Sequence, residues 1–258
     1  MKMSNELLLV LELLFVFVMA LSGYRLFGKA GLYCLTAITT ILANIEVLVL
    51  VEAFGMEQTL GNVLFAVTFL ITDILSECEG KRAANTSVAI GLFASVFFLT
   101  LSQGWLLYHP SPNDFASDPL RAIFSTTPRL MLSSFSVYAI SQLFDVWLYH
   151  KWWAFTEKKS GDSRRFLWLR NNGSTLISQI VNTLLFTFFA FYGVYDTPTL
   201  ISIFLSSYVI FVFTSLLDTP ALYLARRIHD NMMRGNAPAA SGSNRQREEV
   251  SAGRCRIS

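Results

Sequence analysis

Residues 61–82 read GNVLFAVTFLITDILSECEGKR, and this stretch decides the fold. An apolar run of nearly bilayer-spanning length carries Asp73 and Glu77 in its last turns, and Lys81-Arg82 follow at its end. A carboxylate at such depth is costly and persists mainly where it faces a bundle interior, a water-filled cavity or a partner. Residues four apart share one helix face. The run therefore reads as a membrane helix with one face turned toward something polar.

The composition extends that reading to the whole chain. Of 258 residues 53% are hydrophobic and only 15% charged, with a mean hydropathy of +0.48, whereas soluble domains carry about 25% charge. A net charge of +2, with the basic residues set between apolar runs, gives no support to nucleic-acid binding. Cys34, Cys78 and Cys255 are scattered and form neither a metal spacing nor a disulfide framework. The run Leu7–Gly23 lacks a strongly basic start and a small-residue cleavage site, and reads as a retained span.

Seven segments approach the roughly 20 residues that a helix needs to cross the hydrocarbon: 7–23, 31–51, 61–78, 86–108, 130–149, 173–192 and 200–225. The expected fold is an all-α polytopic bundle of about seven transmembrane helices, with six as the alternative count. Basic residues collect on every second side, at Arg25 and Lys29, Lys81 and Arg82, Lys151 to Arg170, and Arg226-Arg227. The positive-inside rule then places the C-terminus in the cytoplasm and the N-terminus outside. Residues 1–230 form the expected transport domain. Residues 231–258 read as a disordered cytoplasmic tail, too poor in apolar residues to fold. Between Tyr108 and Arg129 four prolines mark a long loop, in which Pro119–Phe124 fits a short interfacial helix.

Depth gathers the polar residues. At 1.5 Å per residue, Asp73 lies about 9 Å and Glu77 about 3 Å from the cytoplasmic end of their span. By the same arithmetic Ser141, Gln142 and Asp145 lie about 6 to 12 Å in, Ser178, Gln179 and Asn182 about 9 to 15 Å, and Asp218 about 10 Å. One shared pocket is the expectation, with Asn44 of the second segment at its roof. The acids Glu12, Glu46, Asp73, Glu77, Asp145 and Asp218 have no Lys or Arg in mid-helix, so they are expected to lack internal counter-charge. Lys81, Arg82, Arg164 and Arg165 read as topology determinants, and the tryptophans as interface anchors. The three histidines make no metal cluster. The fifth and sixth segments share a pattern, Ser141-Gln142-x-x-Asp145-x-x-Leu148 and Ser178-Gln179-x-x-Asn182-x-x-Leu185.

The chain resembles the bacterial queuosine-precursor transporters, a family also described as vitamin uptake transporters. The resemblance rests on Asn44, Thr72-Asp73…Glu77…Gly80-Lys81-Arg82-Ala83, Arg129, Ser141-Gln142-x-x-Asp145 and Ser178-Gln179-x-x-Asn182-Thr183-x-x-Phe186, and covers about residues 30 to 225. Two positions depart from it: Cys78-Glu79 stands where an apolar residue and Tyr are expected, and Asn182 where Asp is expected. The resemblance implies a compact helical bundle importing 7-deazaguanines such as preQ0, preQ1 or queuine across the bacterial inner membrane, with no cofactor, no metal and no enzymatic step. Its implied binding residues are Asn44, Asp73, Glu77, Arg129, Gln142, Asp145, Gln179 and Asn182. A carboxylate accepts the ring N–H and NH₂ of such a base together, and an amide serves its mixed edge.

The partners expected are the deazapurine and membrane lipid, with a homodimer or a separate energising chain left open. One alternative is the substrate-binding subunit of an ATP-driven vitamin importer; no Walker-type loop is present in the chain. The other is an integral-membrane lipid-modifying enzyme, for which Asp73 and Glu77 alone make a poor metal site.

Overall fold

The computed structural model describes residues 4–125, 128–160, 166–193 and 195–235. Eight helices and one hairpin make up the described chain: α1 (Asn5–Phe27), α2 (Lys29–Glu46), β1 (Leu50–Ala53), β2 (Met56–Thr59), α3 (Asn62–Cys78), α4 (Lys81–Trp105), α5 (Ser117–Ser125), α6 (Pro128–Ser160), α7 (Leu167–Phe191) and α8 (Thr197–Gly235). Ser4 caps α1, its Oγ accepting from the Leu7 N–H. Gly80, at φ +85°, separates α3 from α4, a backbone conformation that glycine adopts without steric cost.

The expectation of seven crossings is overturned. Among the described residues four helices are long and apolar enough to span a membrane: Asn5–Phe27, Lys81–Trp105, Leu167–Phe191 and Thr197–Arg234. The other segments fall short for identifiable reasons. The hairpin takes up residues 50–59, leaving α3 only 17 residues, about 26 Å of rise. The 18 residues of α2 include Lys29, Asn44 and Glu46 as well as three threonines. In α6 the apolar run is interrupted by Ser141, Gln142 and Asp145 and followed by His150 and Lys151. The opposite-sided termini rested on an odd number of crossings and go with that count.

The hairpin is also a departure from a wholly helical chain. Its strands pair antiparallel, Leu50 opposite Thr59 and Ala53 opposite Met56, and Phe54 and Gly55 turn between them at positive φ, as two-residue hairpin turns require. The Glu6 carboxylate accepts from the Phe54 N–H at 3.2 Å, and Asn5 Nδ2 donates to the Glu52 carbonyl at 2.8 Å, so α1 fastens the turn.

Helix α3 is the axis of the bundle: every residue from Val63 to Ser76 except Phe65 is buried. It packs against α1, α2, α4, α6 and α8, which explains how so short a helix keeps its polar side chains out of lipid. Tight crossings surround it. A Cβ on Gly91 of α4 would lie 2.1 Å from the Tyr138 hydroxyl of α6, and one on Gly31 of α2 would lie 2.3 Å from the Gly23 carbonyl of α1. The long loop does hold a helix: Asp114 accepts from the Ser117 N–H at 2.8 Å and starts α5, whose Phe124 packs edge-on against Phe98 and Trp105. Residues 231–235, assigned by sequence to the tail, form the last turns of α8; residues 236–258 lie outside the described residues.

Candidate functional site

A polar column runs along α3, from the hairpin end of the bundle to the Gly80 end, and each of its levels is set by helical spacing. On α7, Arg170, Ser174, Ser178 and Asn182 follow at intervals of four and form one stripe. On α6, Gln142, Asp145 and Tyr149 lie on one face, and on α3 so do Asp73 and Glu77.

At the hairpin end a cavity of about 310 Å³ opens between Gln58 and Thr59 of β2, Asn62 of α3, Phe186 of α7 and the serines 202, 206 and 207 of α8. A second cavity of only about 20 Å³ shares Asn62, Phe186 and Ser207 with it and is also lined by Phe65, Phe211, Ser134 and Asn182. Asn182 Nδ2 donates to Gln179 Oε1 at 3.1 Å, linking this second cavity to the next level.

Below it Gln142 is fully engaged with α3: its Nε2 donates to Thr68 Oγ1 at 2.7 Å, and its Oε1 accepts from Thr72 Oγ1 at 3.0 Å. The next level holds three acids from three helices, Asp73, Asp145 and Asp218, each no more than 2% exposed. Thr175 Oγ1 donates to Asp73 Oδ2 at 3.1 Å and Ser178 Oγ to Asp145 Oδ1 at 2.7 Å. The three carboxyl groups are close enough for the charge of each to bear on another. Asp73 Oδ1, Asp145 Oδ2 and Asp218 Oδ1 find no donor in the described protein. Carboxyl groups so placed call for a proton or a donor-rich ligand.

One turn further along, Glu77 is in the opposite condition. Arg170 Nη2 lies 2.9 Å from both of its oxygens, Arg226 Nη1 lies 2.9 Å from Oε1, and the Tyr149 hydroxyl donates to Oε2 at 2.8 Å. Arg170 and Glu77 are buried, 0% and 1% exposed, and the guanidinium also stacks over Trp153, 4.6 Å from the ring centre. The expectation that the acids lack internal counter-charge therefore fails at Glu77. Arg170, grouped by sequence with the loop cations, is a core residue; its place four positions before Ser174 was the available signal. Beside it the Tyr24 hydroxyl is 3.0 Å from Glu79 Oε1 and 2.7 Å from His229 Nδ1, so Glu79 is tied to α1 and α8.

Of the sequence-derived set, the column brings together Asp73, Glu77, Gln142, Asp145, Gln179 and Asn182. Asn44 stands apart in the α2–α4 seam, its Nδ2 donating to the Thr40 carbonyl at 2.8 Å and to Ser95 Oγ at 3.3 Å. Arg129 lies in the first turn of α6, and its side chain is outside the described residues. The column residues that sequence reasoning missed are Arg170, Thr68, Thr175, Tyr149, Arg226 and Asn62. In the shared α6–α7 pattern, Asp145 of one copy accepts from Ser178 of the other across the antiparallel pair. Among the described residues no group of three or more His, Cys, Asp or Glu is arranged to hold a metal ion.

A membrane bundle with a buried polar column and an open cavity at one end defines a small-molecule transporter as the class. The comparisons fix the family. Residues 59–225 match the family described as "Putative vitamin uptake transporter". The chain is 38% identical over 216 residues to a "Probable queuosine precursor transporter" of Bacillus subtilis (strain 168), covering 83% of this chain and 92% of that one. No solved structure matches. The chain belongs to the vitamin uptake transporter family; it is a multi-pass membrane transporter and not an enzyme.

Proposed function

We propose that this protein imports a queuosine precursor, a 7-deazaguanine, across the bacterial inner membrane. The observation that carries the reading is the cavity of about 310 Å³ at the hairpin end, where Gln58, Asn62 and the α8 serines share a wall with the rings of Phe186, Phe191 and Tyr195. It is joined to the name of the Bacillus relative. Flat rings bury a heteroaromatic base, while amides and hydroxyls serve its mixed donor and acceptor edge. Each base group left unpaired would cost about 1–3 kcal/mol, enough to separate close analogues.

The base enters from the hairpin end, settles against Asn182 and Gln179, and moves on to Asp73 and Asp145, whose free oxygens accept its ring N–H and NH₂ groups. Glu77 takes part as the centre of an ion-paired closure and not as a ligand, because its oxygens are already engaged. Asn44 and Arg129 are not placed in this site.

The test uses a bacterial strain that neither makes the precursor nor carries its own importer. Expressing this chain with external preQ0, preQ1 or queuine should restore queuosine in tRNA with at least one of them. No restoration by any of the three, with the protein present in the membrane, overturns the reading.

A further inference from the structure

Beyond the cavity at the hairpin end, the opposite end of the polar column opens into a vestibule of about 350 Å³. One stripe of α6, His150, Trp153, Ala154 and Glu157, forms one wall, and Ser76, Glu77 and Gly80 at the end of α3 form the other. Two of these lining residues carry a buried polar atom without a hydrogen-bond partner in the described protein: Ser76 Oγ, on a residue 0% exposed, and His150 Nε2. Buried polar atoms are rarely left in that condition. Trp153 and His150 set parallel rings 6.0 Å apart in the wall, with the Arg170 guanidinium 4.6 Å over Trp153. The Glu157 side chain is exposed at the mouth.

We infer that this vestibule is a second binding station for a planar, donor-rich heteroaromatic base, occupied after the base has passed Glu77. It rests on the transport reading above. Its chemistry repeats that of the first cavity with different residues: an aromatic wall from Trp153 and His150, a hydroxyl and an imidazole nitrogen for the mixed edge, and the Glu157 carboxylate for N–H donors. A volume of about 350 Å³ is within the range of small-molecule sites, roughly 300–1,000 Å³. The Glu77–Arg170–Arg226 cluster stands between the two stations, so the base reaches the second only when that cluster parts.

The experiment places a single thiol at the vestibule by Ala154→Cys in a full-length chain carrying Cys34→Ala, Cys78→Ala and Cys255→Ala, reconstituted in lipid vesicles. The probe is 7-cyano-7-deazaguanine. At concentrations that saturate uptake it should slow labelling of that thiol at least threefold, and adenine should not. As a second measurement, Ser76→Ala and His150→Phe should each slow efflux from preloaded vesicles at least fivefold. Uptake without protection, or with efflux unchanged in both variants, overturns the second station alone. Absence of uptake together with absence of protection overturns the transport reading with it.

Discussion

Glu77 and the Asp73 level are one helical turn apart on the same face of α3, and their surroundings differ completely. Glu77 meets two guanidinium groups and a phenol. Asp73 meets two further carboxyl groups and the hydroxyl of Thr175. Both levels are buried, so the difference is one of charge balance alone. A buried ion that is paired is a fixture, because removing one partner strands the other in a poor dielectric. Buried acids with free oxygens are an opening for a ligand. The comparison teaches that depth in the bundle does not mark the site; the state of the hydrogen-bond and charge account does.

The sharpest way to break that contrast is Glu77→Gln. It leaves Arg170 buried against a neutral amide and should destabilise the protein by about 3–5 kcal/mol, seen as a lost thermal transition of the purified protein in detergent. The double variant Glu77→Leu with Arg170→Met should recover much of that loss. A stable Glu77→Gln protein would move Glu77 back among the ligands.

Asp145→Ala tests the other level. It should abolish uptake and leave membrane abundance intact, since among the described residues no cation is paired with Asp145. Wild-type uptake by this variant would remove the Asp73–Asp145 level from the path. Thr175→Val, nearly isosteric, removes one donor to Asp73; a hydrogen bond is worth about 0.5–1.5 kcal/mol, so affinity should weaken by up to roughly tenfold, measured as the concentration for half-maximal uptake. Arg226 is the more exposed partner of Glu77, and Arg226→Lys keeps the charge while losing the fork; a thermal shift equivalent to about 1 kcal/mol or less is expected.

The smallest effect lies away from both levels. The Ser117 side chain, and after it the Ser117 N–H, hold the Asp114 carboxyl below the usual carboxylate range, so its cap on α5 is fully present above the unfolded pKa and lost as pH falls through the lower folded one. Asp114→Ala should therefore loosen α5 at neutral pH, read as faster amide exchange over 117–125, and leave uptake unchanged.

The site was legible where periodicity alone sufficed. Asp73 and Glu77 had to share a face, and Ser178, Gln179 and Asn182 had to lie at the depth of Asp145, because helical rise is fixed. Depth carries no azimuth, however. Asn44 lies at a plausible height but points into the α2–α4 seam toward Ser95. Arg170 was hidden for the opposite reason: it belongs to a basic stretch that resembles a loop, and only the start of α7 at Leu167 puts it inside. The count of spans failed because apolar runs do not show where a helix ends: residues 50–59 form a hairpin, α3 keeps only 17 residues, and polar side chains interrupt α2 and α6.

By itself the sequence determined that the chain is a helical membrane protein with acids buried at one end of its bundle, since composition, run length and the cost of charge in hydrocarbon leave little else. Only the tertiary structure decided which acids are paired. That depends on where Arg170, Tyr149 and Arg226 arrive from three other helices, and contacts between residues 72 to 149 positions apart are fixed by packing and not by local spacing.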